Sequence, residues 1–379
     1  MMNNDFSIIV NEIPLYNTID SILWQLMKHI PNVFTVPIEN IVKYTYEIYS
    51  QHSQHNRINV HDEELQLIQK RIHQICSYNK TLYELLSQPQ VAQRSPEWYE
   101  LRKNRLTASA VAQAIGKGKF ASKADLLKDK AFPELAKPFD SHSSPPLRHG
   151  IILEDMSARC YSQRLNNIKI YNFGMIPHPA MNCFGASPDG INELGIMVEI
   201  KTPYRRRVDG NIPYEYMVQM QGQMAVCNLH ECDFVDAEIY FNYRSMYEYT
   251  HDIDLCNNTT DHGIIIEYID ATQSRQYIYS PEYLTTEQCI QWTDETKKEF
   301  QVQSIPYILL PWKLVKIMIK RVYFNPEVWN ELVPKIEDFW NEVINLRNAG
   351  VDALPQKKPK NIKKPTYVPQ FIDSDEDEV

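Results

Sequence analysis

Glycine is scarce in this 379-residue chain, with 11 residues in all. That argues against a glycine-rich nucleotide-binding fold or a repeat array, both of which need many tight turns and close approaches. No fixed-period repeat stands out. Long apolar runs are missing too: none reaches 18 residues, so no membrane-spanning helix is expected. The start, MMNNDFSIIVNEIPLYN, has neither a basic opening nor a long apolar stretch and does not read as a secretory signal. The seven cysteines (76, 160, 183, 227, 232, 256, 289) are scattered and odd in number, which suits buried thiols in a reducing interior. Cys227, His230 and Cys232 form one local cluster, but no second pair stands at finger-like spacing, so buried thiols are favoured over zinc. Basic charge is in deficit: 39 Lys and Arg against 48 Asp and Glu give a net −9. Averaged over the chain, that speaks against nucleic acid as a partner. The distribution reverses it, because residues 94–130 carry nine Lys/Arg against four Asp/Glu, a local +5 able to meet phosphate.

Hydrophobic periodicity divides what is present. Residues 1–90 read as a helical accessory domain: DSILWQLMKHI and EELQLIQKRIHQICSYNKTLYELLS space their apolar residues by three and four, with Asp20 and Asp62 as expected caps. SQPQVAQRSPEW (87–98) reads as the linker into a second unit over 91–350. In SPEWYELRKNRLTASAVAQAIG, Ser95 is predicted as N-cap, Pro96 as the first helical residue and Gly116 as the stop. KADLLKDKAF, a loop rich in Pro and Ser (138–146) and the helix LRHGIILEDMSARCYSQRL follow. Strand signals come next: IYNFGMI, MNCFGASPD, IMVEIKTP, FVDAEIYF and GIIIEYID, with the helix PYEYMVQMQGQMAVCNL among them. NPEVWNELVPKIEDFWNEVINLRNAG is a final helix. The order predicts an α/β or α+β chain with a central mixed β-sheet flanked by helices, plus the N-terminal helical domain. Residues 351–379, basic in KKPKNIKKP and acidic in DSDEDEV, cannot bury a core and are expected to be disordered.

One strand carries charges in an apolar setting. In ASPDGINELGIMVEIKTP (186–203), Glu199 and Lys201 share one face of a strand while Val198 and Ile200 share the other. Asn192, Glu193 and Gly195 predict a turn that returns the chain beside Asp189. Two carboxylates and a lysine then converge. Paired hard oxygens suit Mg²⁺ or Mn²⁺ held with waters and a phosphate oxygen. Such an ion activates a bound water and neutralises phosphate charge, and a lysine beside it can position the water or act as a point charge. An E-x-K triplet alone is more often an exposed salt-bridged pair; its setting decides.

That setting is specific. SPDG with VEIK (187–201) resembles the PD-(D/E)xK nuclease motif. WYELRKNRLTAS (98–109), HGIILE (149–154) and YMVQMQGQMAV (216–226) complete, in order, a resemblance to the lambda-type exonucleases, the YqaJ-like viral recombinases of large DNA viruses. The likeness covers about residues 94–245. It implies a restriction-endonuclease-like core and a metal-dependent deoxyribonuclease that degrades double-stranded DNA from 5′ ends, leaving 3′ single strand, in viral recombination, replication or repair. It implies Asp189 and Glu199 as metal-binding carboxylates, the Ile200 carbonyl completing the shell, Glu154 as a further metal ligand and Lys201 as the catalytic lysine. Gln219 would orient the lysine or the attacking water, and Arg102 with Ser109 would hold a terminal 5′-phosphate. Seven residues apart, those two are expected on one helix face, where a guanidinium fork and a hydroxyl suit a terminal phosphate. Arg105, Arg205 and Arg206 are candidates for the DNA backbone. The implied cofactor is Mg²⁺, with Mn²⁺ as the alternative and two ions in the site. Implied partners are duplex DNA ends, a single-strand annealing protein and further copies of the chain, trimeric in the family, in the host cytoplasm or nucleus and away from membranes.

Two rivals use the same residues differently. An endonuclease on this fold needs Asp189, Glu199 and Lys201 but not the Arg102/Ser109 pair. A catalytically decayed module would bind DNA ends or a protein without cutting; the intact Asp-Glu-Lys set argues against it.

Overall fold

The apolar spacing of the first ninety residues produces three helices in the computed structural model: α1 (Pro14–His29), α2 (Ile38–His55) and α3 (Asp62–Leu86). The structure describes residues 14–30, 33–55, 62–119, 121–135, 144–241, 261–281 and 284–354. Ile19, Ile22 and Leu23 of α1 and Ile68, Ile72, Ile75 and Leu82 of α3 are buried, as a stripe at three- and four-residue spacing requires. Asp62, expected as a cap, is the first residue inside α3 instead. Asp20 does not cap α1; that helix begins at Pro14, which leaves Asp20 buried inside it.

The next helix, α4 (Pro96–Lys103), starts as predicted: Ser95 Oγ accepts from the Trp98 amide at 3.2 Å and Pro96 fills the first turn. It ends sooner than predicted. The Leu106 amide donates to the Cys183 carbonyl at 2.7 Å, drawing Leu106–Thr107 into strand β1, and a 3₁₀ turn (Ala108–Ala110) then leads to the short α5 (Val111–Ala114). Strand pairing outweighs local helix propensity here. Gly116, at φ +76, ends α5 rather than α4. The helices α6 (Lys123–Ala131), with a Ser122/Asp125 capping box, and α7 (Pro145–Arg164) follow.

Strands β2 (Ile170–Tyr171), β3 (Ile176–Pro177), β4 (Phe184–Ala186), β5 (Gly190–Asn192) and β6 (Met197–Lys201) precede α8 (Tyr214–Cys227). Then come β7 (Glu231–Phe241), β8 (His262–Ile269), β9 (Arg275–Tyr279), α9 (Thr286–Val302), β10 (Tyr307–Tyr323) and α10 (Pro326–Ala349). A seven-stranded sheet has the order β2-β5-β6-β7-β10-β8-β9, and a smaller one the order β1-β4-β3. The large sheet is mixed, because β6 and β7 run parallel while the other described pairings are antiparallel. The expected α/β class with a central mixed sheet flanked by helices is borne out. β9, α9 and the 17-residue β10 go beyond the elements expected above; in β10 the apolar run IMI between lysines masks the alternation. Of the tail expected to be disordered over 351–379, Val351–Ala353 form a 3₁₀ turn instead, and the part from residue 355 lies outside the described residues, as do residues 138–143 of the Pro- and Ser-rich loop.

One hydrophobic core runs from α1 and α3 through β5, β6 and β7 to α8 and α10. Four buried charges, Asp20, Arg71, Glu231 and Asp233, and the nearly buried Arg321 tie α1 and α3 to β7 and β10. Arg71 of α3 donates Nε to Asp20 Oδ1 at 2.7 Å and Nη2 to Glu231 Oε2 at 3.0 Å. Arg321 of β10 donates Nη1 to Glu231 Oε2 at 2.6 Å and Nε to Asp233 Oδ1 at 2.5 Å. Tyr161 of α7 completes the set, donating to Asp233 Oδ2 at 2.7 Å and accepting from Asn192 at 3.0 Å. Burial alone would raise the Glu231 carboxyl; Arg321 and Arg71 outweigh it and hold it low. Burial works against the charge on Arg71 as well, and Asp20 and Glu231 hold its guanidinium protonated.

Candidate active site

Backbone geometry builds the site. β5 and β6 form the predicted hairpin, with Gly190 opposite Val198 and Ile191 opposite Met197. Gly195 takes φ +77 in the turn, and the Asn192 side chain accepts from the Leu194 and Ile196 amides at 3.0 and 3.1 Å. That register returns the chain to Asp189, whose Oδ2 accepts from the Ile200 amide at 2.7 Å. Glu199 is fully buried, yet three donors meet its carboxylate: Lys201 Nζ and Gln219 Nε2 on Oε1, the latter at 2.7 Å, and Gln223 Nε2 on Oε2 at 2.7 Å. A carboxylate offers about four lone-pair positions, so room for one more partner is left on Oε2. Lys201 Nζ also lies 4.8 Å from the Tyr216 ring centroid.

The motif points to Gln219 alone, and Gln223 is the structure's addition. The helical period could have found it: 219 and 223 are four apart and share a face, whereas 221 points elsewhere. Gln221 donates to the Tyr323 carbonyl at 2.9 Å and accepts from the Asn325 amide at 2.8 Å, joining α8 to the start of α10.

Asp189, Ile200 and Glu154 line a cavity of about 630 Å³. Glu154 projects from α7 and pairs with Arg94 at 2.9 Å. Burial pushes the Asp189 carboxyl well up, and the charges of Glu199 and Glu154 push it further. Burial raises Glu154 as well, with Arg94 opposing. For Lys201 burial would lower the pKa, but Glu199 and Asp189 outweigh it and raise it. Mutual repulsion among carboxyls is what a hard cation relieves. Among the described residues, no three His, Cys, Asp or Glu side chains gather closely enough to hold a metal by themselves. An ion here would rest on Asp189, Glu154 and the Ile200 carbonyl, with waters supplying most of its shell, the way Mg²⁺ is commonly held. Glu199 lies behind that set, absent from the cavity lining.

The anion-binding candidates are arranged differently from expectation. Arg102 lies in the last turn of α4 and Ser109 sits in the 3₁₀ turn beyond β1, so they do not share a helix face. Arg102 stacks at 4.2 Å on Trp98, and burial lowers its pKa to about 10. Trp98 in turn donates to Ser187 Oγ at 3.0 Å, tying α4 to the turn before Asp189. Lys130 Nζ donates to the Arg102 carbonyl at 2.5 Å, and burial, then the Arg102 charge, lower its pKa to about 8. Ser109 is exposed, its hydroxyl 3.2 Å from Thr107 Oγ1. Arg105 turns back to the Leu101 carbonyl at 3.4 Å. Arg206 is committed to a bidentate pair with Asp236 at 2.7 and 2.6 Å, whereas Arg205 is exposed beside the Tyr204 ring. Cys227 and Cys232 are buried and burial raises both thiols, that of Cys227 to about 12, while His230 stacks on Phe324.

Carboxylates, a lysine and two glutamines thus gather around one hairpin of an α/β chain. Residues 97–230 match the family model of the YqaJ-like viral recombinase domain, so the resemblance read from the motifs is borne out over that segment. An uncharacterized protein of Acanthamoeba polyphaga mimivirus, R354, is 26% identical over 304 residues, covering 68% of this chain and 54% of that protein. The chain thus spans about half the length of the curated relative it matches. Among solved structures, the alkaline exonuclease LHK-Exo of Laribacter hongkongensis is 19% identical with a TM-score of 0.42, over 67% of this chain and 95% of the other. A phage-related exonuclease from Haemophilus somnus 129PT is 12% identical with a TM-score of 0.37, over 65% and 96%. At these scores the structural likeness says nothing about activity. No helix of the described residues is long and apolar enough to cross a membrane.

Proposed function

We propose that the chain is a divalent-metal-dependent deoxyribonuclease that hydrolyses duplex DNA from 5′ ends and leaves 3′ single strand, serving viral recombination, replication or repair. The observation that carries the reading is the convergence of Asp189, Ile200 and Glu154 on one cavity, beside the strand on which Lys201 meets Glu199. The viral-recombinase match over 97–230 supports the biological setting.

In this reading Asp189, Glu154 and the Ile200 carbonyl hold Mg²⁺ or Mn²⁺, and Glu199 orients Lys201. When bound, the ion supplies a more acidic water and neutralises phosphate charge. Lys201 presents its ammonium as a point charge to the developing negative charge. Gln219 and Gln223 fix Glu199, and through it the lysine, by two hydrogen bonds of 2.7 Å each. Arg102, with no hydrogen-bond acceptor among the described residues, and Ser109 receive the 5′-phosphate, while Lys130 adds positive potential. A ring-like trimer and an annealing-protein partner belong to the same proposal.

The test is degradation of end-labelled linear duplex with 5′-phosphate or 5′-hydroxyl, beside a closed circle, in Mg²⁺, Mn²⁺ or EDTA. The expected result is metal-dependent loss of the phosphorylated linear duplex, slower loss of the hydroxyl form and an intact circle. Efficient cutting of the circle would sink the exonuclease reading, and full activity in EDTA would sink the metal site.

A further inference from the structure

The segment between α3 and α4 was expected only to connect two units. Its last residue before the Ser95 cap, Arg94, takes φ +67, a left-handed conformation that costs an arginine conformational energy. The residues before it are pinned. Gln93 Nε2 donates to the Phe173 carbonyl at 2.8 Å and to the Pro188 carbonyl at 3.2 Å, and Gln90 accepts from the Gly174 amide at 3.3 Å. Val91 lies so close to Gly174 that a Cβ there would stand 1.7 Å from the Val91 carbonyl oxygen. The linker is therefore fastened to the chain that leads directly into Asp189, and it aims the Arg94 guanidinium at Glu154, Nη2 to Oε2, at 2.9 Å. Arg94 and Glu154 line the same cavity as Asp189 and Ile200. Arg275, another arginine on that cavity, is paired with Glu267, which is not part of the lining.

A half-exposed ion pair contributes little stability and by itself requires neither a left-handed arginine nor a pinned linker. A guanidinium at this position has a second use, because its planar fork matches phosphate oxygens. We propose that Arg94 is a DNA-phosphate-binding residue held in reserve on Glu154. It neutralises that carboxylate while the cleft is empty and transfers to a backbone phosphate when Glu154 is taken by a cation. The inference rests on the nuclease reading of the cleft.

The test removes Glu154 instead of adding metal. Binding of a 5′-phosphorylated duplex is followed by fluorescence anisotropy in EDTA over a salt series, for the wild type, R94A, E154A and R94A/E154A. With Glu154 present, R94A changes affinity little. With Glu154 gone, R94A weakens binding about 3- to 10-fold and lowers the log–log salt slope by about one phosphate contact. R94K in the E154Q background, which preserves side-chain volume, keeps the slope and recovers part of the affinity. An Arg94 effect of equal size in both backgrounds, or a slope that does not move, overturns the inference. If wild type degrades duplex with Mg²⁺ but shows no coupling, this inference alone fails. If the coupling is present but no degradation occurs under any metal, the nuclease reading fails and the phosphate contact stands.

Discussion

Two clusters of buried charge stand a strand apart in this molecule and are built on opposite terms. In the network of Asp20, Arg71, Glu231, Asp233 and Arg321, both arginines meet carboxylates, and the hydrogen bonds close on one another. In the cluster of Asp189, Glu154, Glu199 and Lys201, three carboxyls face one lysine and the half-exposed Arg94. The first is closed and holds α1 and α3 to the sheet. The second is left short of positive charge and opens on a cavity. β6 and β7 run side by side through both, with Glu199 opposite Phe234 and Met197 opposite Cys232. Buried charge is thus used in one place to hold the fold together and in the other to leave something for a ligand to complete.

The largest expected effect breaks the open cluster. Lys201→Ala and Asp189→Asn should each reduce Mg²⁺-dependent DNA degradation by roughly 10²- to 10³-fold or more, measured on end-labelled duplex. Asp189→Asn removes one of the repelling charges and keeps an acceptor for the Ile200 amide, so its thermal midpoint should not fall. A stability loss as large as the activity loss would show the cluster to be structural.

The closed network should respond the other way. Arg71→Met leaves Asp20 and part of Glu231 buried without their partner, at a cost of about 3–5 kcal/mol in chemical denaturation. Activity per folded molecule should be unchanged. A variant as stable as wild type would show that the network does not hold the N-terminal helices to the sheet.

Two glutamines on one helix sharpen the contrast. Gln223→Leu removes a donor from the Glu199 carboxylate and should lower turnover about tenfold or more, as loss of a hydrogen bond to a charged group predicts. Gln221→Leu breaks the link to Tyr323 and Asn325 instead, and should cost about 1–3 kcal/mol of stability with turnover preserved. Equal kinetic loss in both would mean that α8 acts as a packing unit rather than through Glu199.

The smallest effect belongs to the cap. Ser95→Ala should cost about 1 kcal/mol, read from the denaturation midpoint, because the Trp98 amide loses its acceptor. A kinetic effect larger than that would place Ser95 in the site itself through the Trp98–Arg102 stack.

Much of the open cluster was legible because its signals are local. The turn at Asn192–Gly195 sets the hairpin, and period-two alternation puts Glu199 and Lys201 on one face. Arg102 and Ser109 misled for the same reason in reverse: seven-residue spacing suggested a shared helix face until pairing with Cys183 turned the chain into β1. β10 escaped because Leu309 to Trp312 are buried in succession, so both faces are covered there and its apolar residues do not alternate cleanly.

The sequence by itself determined the helical opening, the Ser95 cap, the β5–β6 hairpin and the Asp-Glu-Lys set that this hairpin brings together. Each depends on dihedral preference or on spacing within a few residues. The tertiary structure alone decided that Asp20 would be a buried ion-pair partner, that Gln223 would join Gln219 on Glu199, and that Arg94 would reach Glu154. These pairings join residues 24 to 60 positions apart in the chain, where sequence spacing carries no geometric information and packing sets which side chains meet.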